Sequence, residues 1–235
     1  MKRLVIPLLV FLLLCGCARE QTEFSASPET AVPEEAATVF LPEETDPAVE
    51  YPDPKDMVFV AVADYIPDIL IDLKYAGTDN FTGQVVYDFS TAYLRYGTVR
   101  KLAAVQEDLR QLGLGLKIWD GFRPVSAQYK LWEICPDTRY VANPQLGFSS
   151  HSRGNTVDVT MVDEDGREVE MPTAFDDFSK KADREYSDCT QEAADNALIL
   201  EALMEKHGFS GYKNEWWHFT DTVAYPVEET FLPGA

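Results

Sequence analysis

The sequence predicts a single α+β domain over residues 57–235, with a mainly antiparallel sheet flanked by helices. Two observations lead there. Short apolar stretches, alternating or continuous and bounded by turn residues, recur through this region as strands require. Among them lie three longer stretches whose composition and apolar spacing suit helices. At 235 residues and 46% apolar content the chain can bury one sizeable core.

The N-terminal part stands outside that domain. Lys2 and Arg3 precede the apolar run Leu4–Leu14, which is too short to cross a bilayer as a helix. Residues 1–16 are therefore expected to be a secretion signal. The run ends in Leu14-Cys15-Gly16-Cys17, which resembles a bacterial lipobox and implies a lipidated Cys17 holding the protein at a membrane outside the cytoplasm. Residues 17–56 read as an acidic, proline-rich disordered tether, with eleven acids and two bases and little apolar periodicity. A net charge of −20 argues against nucleic acid as a partner. No protein partner is predicted.

Within the domain, Val58–Ala63 and Ile69–Leu73 predict strands broken at Pro67. A helix follows, with Thr98 as N-cap, Val99, Leu102, Ala103, Leu109 and Leu112 on its apolar face, and Gly113 as its stop. Leu114, Leu116 and Ile118 alternate like a strand that turns at Asp120-Gly121 and delivers Arg123 just past its end. Ser126 caps a second helix. The stretch from Asn155 onward predicts a hairpin about Asp165-Gly166 whose first strand carries Asp158. Residues 188–208 give the longest helical pattern, with His207 in its last turn, where a hydrogen-bonding role at exposed carbonyls explains it. Residues 214–221 predict the closing strand.

Two cysteines remain in the domain. Cys135 and Cys189 could form one disulfide or remain unpaired small apolar residues.

His151 and His218, the other two histidines, each stand near an acid: Asp158 follows the first and Glu215 precedes the second by three residues. A catalytic zinc takes three His, Asp or Glu ligands and keeps a position open for water, and His151, Asp158 and His218 would supply the three. On the strand, Val157, Val159 and Met161 share one face, so Asp158 projects to the other with Thr160. Gly154 permits the sharp turn that lets His151 converge with it. Period two puts Trp216 with His218 and Glu215 with Trp217, so Glu215 is expected to enter from the loop end and to act on water rather than on the ion. The paired indoles would keep the site dry.

The blocks "DLKYAGTDNFTG", "WDGFRP", "SSHSRGNTVDVT", "FDDFS" and "EWWH", spread from about Ile69 to Asp221, together resemble the VanX-type D-alanyl-D-alanine dipeptidases, zinc peptidases of the Hedgehog/DD-peptidase fold. The resemblance implies one zinc ion (Zn2+) on His151, Asp158 and His218, with Glu215 as general base. It implies that Arg123 stabilises charge on the scissile carbonyl oxygen and that Asp176 receives the substrate's ammonium group. Ser149 and Tyr75 match positions near the bound dipeptide. The chain departs from the family pattern at Thr156 and in residues 84–97, the latter near the expected substrate-carboxylate pocket. The expected activity is zinc-dependent hydrolysis of D,D-dipeptides at the cell surface, in wall-peptide turnover or scavenging. A DD-carboxypeptidase or wall endopeptidase on the same fold is the alternative enzyme. A non-catalytic wall-peptide-binding lipoprotein is the alternative of another class, and it would need neither Arg123 nor Glu215.

Overall fold

The structure, a computed structural model, describes residues 54–234. The predicted signal, the Cys17 lipidation site and nearly all of the tether lie outside the described residues. Among the described residues no helix is long and apolar enough to cross a membrane.

The elements in chain order are β1 (Phe59–Ala61), β2 (Leu70–Ile71), β3 (Tyr93–Arg95), α1 (Tyr96–Arg110), β4 (Gly115–Asp120), α2 (Val125–Ile134), β5 (Thr156–Val162), α3 (Gln191–Lys206), β6 (Phe209–Tyr212) and β7 (Glu215–Asp221), with short 3₁₀ turns between them. Strands β2-β4-β5-β7-β6 form one sheet, antiparallel except at the β2–β4 edge, and β1 pairs with β3 in a separate ribbon. The expected α+β class and mainly antiparallel sheet are both present.

One buried cluster joins Val99, Leu102 and Leu109 of α1 and Leu200 and Met204 of α3 to Val157, Val159 and Met161 of β5. Every residue of β5 is buried, so this strand is the centre of the molecule. Its odd-numbered residues feed the core, which leaves Asp158 and Thr160 on the opposite face.

Local signals misplace several boundaries. Helix α1 starts two residues before Thr98, which is fully buried and donates its hydroxyl to Asp221 at 2.9 Å instead of capping the helix. Leu112 lies beyond the end of α1 and is 57% exposed. Ser126 is exposed and inside α2, whose N-cap is Pro124. The strand expected over Val58–Ala63 ends at Ala61 in a 3₁₀ turn, and the one over Ile69–Leu73 shrinks to two residues. The hairpin turn at Asp165-Gly166 forms, with Gly166 at φ +77°, yet its return arm is a single bridge, Val162 to Glu168. Thr190 caps α3 by accepting from the Ala193 N–H, and His207 at its end lies 2.6 Å from Asp108. Cys135 and Cys189 are both free.

Candidate active site

The open ends of β5 and β7 meet the turn that precedes β5. A short 3₁₀ helix, Ser150–Arg153, carries His151 and ends at Gly154, whose φ of +75° is the left-handed region. A Cβ on Gly154 would fall 2.3 Å from the Phe59 ring, so the turn tolerates only glycine. It aims His151 at Asp158, and the β5–β7 ladder pairs Asp158 directly with His218.

His151 Nε2 lies 3.4 Å from Asp158 Oδ2 and 3.3 Å from His218 Nδ1, and His218 Nδ1 lies 3.0 Å from Asp158 Oδ1. Donors around a tetrahedral zinc at roughly 2.0–2.1 Å sit about 3.3 Å from one another, so this spacing fits the ion. A buried polar atom makes the same point: Asp158 Oδ1 has no hydrogen-bond partner among the described residues. His151 Nδ1 is 2.8 Å from the carbonyl oxygen of Gly121. A carbonyl only accepts, so Nδ1 carries the proton and Nε2 presents its lone pair to the cluster. Burial works against ionisation of Asp158, but the two imidazoles outweigh it and hold the carboxyl well below the usual range. Three donors with one net negative charge, at the floor of a cavity, suit a divalent cation.

Glu215, the first residue of β7, places Oε2 3.6 Å from His218 Nδ1. Burial first, and then the negative charge of Asp158, push its pKa up against the pull of His218. A raised pKa makes the carboxylate a stronger base, which suits a group that takes and returns a proton. Asp176 sits at φ +59°, a conformation that aspartate adopts more readily than most residues. Its carboxylate accepts from the Tyr75 hydroxyl and the Phe81 N–H, all at 3.2 Å, and burial pushes its pKa up from 3.8 to about 7.

Arg123 is fixed from three sides. Its Nε and Nη2 donate to Asp120 Oδ2 at 3.2 and 2.6 Å, its Nη1 donates to Gln128 at 3.1 Å, and its guanidinium lies 5.0 Å over the Tyr75 ring. These bonds use three of its five N–H groups and leave two for a ligand. Ser149 caps the 3₁₀ helix by accepting from the His151 N–H.

A cavity of about 320 Å³ has Tyr75, Arg123, Ser149, His151, Asp158, Asp176, Glu215 and His218 all on its wall. The structure therefore brings together every site residue that the domain's sequence singled out. Cys17 is the exception, lying outside the described residues.

Two expectations about the site are corrected. Trp217 lines the cavity with Glu215 and His218, whereas Trp216 turns away and donates its indole N–H to Thr173 at 2.9 Å, so one indole shields the site rather than two. The cause is an irregularity in the β6–β7 pairing that suspends period two between Glu215 and His218. Residues 84–97 contribute nothing to the cavity wall; Tyr87 instead supports Asp120 from behind, its hydroxyl donating at 2.7 Å.

Sequence reasoning missed Asp120 and Gln128, which hold Arg123. An acid at a strand end three residues before Arg123 was a usable signal for Asp120. Gln128 had none, because its contact with Arg123 forms only once α2 is packed beside the end of β4.

A water-accessible cavity floored by two imidazoles and an aspartate, with a second carboxylate beside them, defines a mononuclear metal-dependent hydrolase. The sequence profile of Peptidase M15, described as D-ala-D-ala dipeptidase, matches residues 55–233. The chain belongs to this family. It is 37% identical over 177 residues to the D-alanyl-D-alanine dipeptidase of Escherichia coli K12, covering 74% of this chain and 90% of that protein. The D-alanyl-D-alanine dipeptidase of Enterococcus faecalis V583 is 32% identical over 194 residues, covering 74% and 96%. That of Streptomyces coelicolor is 33% identical over 183 residues, covering 69% and 90%. The enzyme is a zinc metallopeptidase.

Proposed function

We propose that this chain hydrolyses D-alanyl-D-alanine to free D-alanine outside the cytoplasm, as a lipid-anchored enzyme that trims wall-derived dipeptides. The observation that carries the chemistry is the donor triad of His151, Asp158 and His218, 3.0–3.4 Å apart, with Glu215 at its edge. Zinc held there supplies Lewis acidity, lowering the pKa of a water and polarising the scissile carbonyl.

The remaining roles fall to the chain itself. Glu215 takes a proton from the attacking water and passes it to the nitrogen of the departing D-alanine. The two free N–H groups of Arg123 face charge developing on the carbonyl oxygen, and a guanidinium keeps its own charge throughout. Asp176, ionised, receives the substrate's ammonium, while Tyr75 and Ser149 shape the wall around the dipeptide. A longer peptide acylated at its amino end would leave the Asp176 carboxylate buried without a cation, which favours substrates whose amino end is free.

Incubating the zinc-loaded protein with D-Ala-D-Ala and measuring free D-alanine, with and without a chelator, tests the activity. No release from loaded protein would overturn it. Offering a stem pentapeptide in parallel separates dipeptidase from carboxypeptidase action. The surface location rests on the Leu14–Cys17 lipobox and the acidic stretch after it. Cys17→Ala should move the protein from the membrane fraction to the soluble one, and unchanged fractionation would refute the anchor.

A further inference from the structure

We propose that Arg184 is a positioning residue of the zinc centre, clamping the irregular start of β7 so that Glu215 and His218 face one cavity. The inference rests on the zinc-peptidase reading of that site. In a regular strand two residues three apart point to opposite faces, yet Glu215 and His218 line the same cavity. The pairing of β6 with β7 explains how: Gly211 is opposite Phe219 and the next residue, Tyr212, is opposite Glu215, so Trp216, Trp217 and His218 bulge without ladder partners on β6.

Carbonyls released from a ladder need other donors. Arg184 supplies them. Its Nη2 lies 3.3 Å from the Glu215 oxygen and 3.0 Å from those of Trp216 and His218, and its Nε lies 3.0 Å from that of Tyr212. One guanidinium thus bonds both arms of the hairpin, including the backbone of a proposed zinc ligand and of the proposed base. The group is itself held. It stacks 4.3 Å over the Phe219 ring, and its Nη1 lies 3.3 Å from Glu201 of α3, which also accepts the Tyr186 hydroxyl at 2.7 Å. The partner strand leaves it room, since a Cβ on Gly211 would fall 2.2 Å from Arg184 Cζ.

The planar fork matters more than the charge here. A lysine ammonium is a point with three donors and cannot span four carbonyls spread over two strands. Arg184→Lys should therefore keep most of the fold while loosening the bulge. Zinc affinity, read by competition with a chromogenic chelator, should fall about tenfold or more. On zinc-saturated protein, kcat for D-Ala-D-Ala should fall about tenfold or more with KM changed less than about threefold, because Asp176 and Arg123 are untouched. The visible spectrum of the cobalt-substituted protein should change with them.

A purely structural role would lower Tm alone, leaving zinc affinity, cobalt spectrum and kcat per loaded site as in the parent; that result overturns the proposal. If Arg184→Lys does not fold, Glu201→Gln, which removes the charge that anchors the guanidinium from α3, decides by the same readouts, with smaller losses expected and unchanged values refuting it. Should the parent itself fail to cleave D-Ala-D-Ala, the assigned reaction falls, while chelator competition and the cobalt spectrum still judge Arg184.

Discussion

The Tyr75 hydroxyl lies 3.2 Å from each oxygen of Asp176, on the wall of the same cavity that holds the His-Asp-His cluster. Burial raises that carboxyl to about 7, so it is half protonated near neutral pH and must ionise to bind an ammonium. The value of kcat/KM should therefore fall about tenfold for each pH unit below about 7. Tyr75→Phe removes a donor that favours the ionised form, so the acid limb should move to higher pH and substrate binding weaken by about tenfold or more. A pH profile of kcat/KM for both proteins checks this; an unmoved limb would separate Tyr75 from Asp176.

Glu215 and His218 should part company under mutation. Glu215→Ala leaves the three donors in place, so zinc should remain while kcat drops by about 10²–10⁴. His218→Ala removes a donor and should lose both metal and turnover. Metal analysis of the purified variants beside their kcat decides, and zinc lost from the Glu215 variant but kept in the other would reverse the two roles.

Asp120 is fully buried and accepts from Arg123, the Tyr87 hydroxyl and the Gly121 N–H. Asp120→Asn puts an amide where a carboxylate held the guanidinium, so one donor meets another and Arg123 loses its fixed orientation. Turnover should fall by about 10²-fold, the range seen when a preorganised oxyanion donor is displaced, with zinc content unchanged. Loss of zinc in step with activity would instead point to disruption of His151, whose Nδ1 is 3.6 Å from Asp120.

Legibility followed the range of the interactions. His151, Gly154 and Asp158 could be read from the sequence because a tight turn and a strand's period two are local rules, and both hold in the structure. The face of Glu215 could not be read, because period two fails where the pairing with β6 slips by several residues. Thr98 looked like an N-cap since helix-start chemistry is local, but its hydroxyl is taken by Asp221, 123 residues away. The return arm of the Asp165-Gly166 hairpin looked like a strand for the same reason; its turn is local, whereas its pairing needed a ladder that stops at one bridge.

The carboxylate that serves the substrate should work against the fold. In the unfolded chain Asp176 titrates near 3.8, and in the folded chain near 7. Below about pH 4 both states are protonated and the residue is neutral in effect. Between those values the unfolded chain releases its proton while the folded one keeps it, so folding loses ground as pH rises, and above about 7 the loss is complete, at up to about 4 kcal/mol. Asn at this position has nothing to ionise. Asp176→Asn should therefore raise Tm by roughly 3 °C or more at pH 8, show no gain over the parent at pH 4, and lose most of its affinity for D-Ala-D-Ala at pH 8, where the parent carboxylate is ionised. Thermal unfolding of the two proteins side by side tests the sign: a variant less stable than the parent at pH 8 would mean that the Tyr75 and Phe81 donors outweigh the cost of burying the charge.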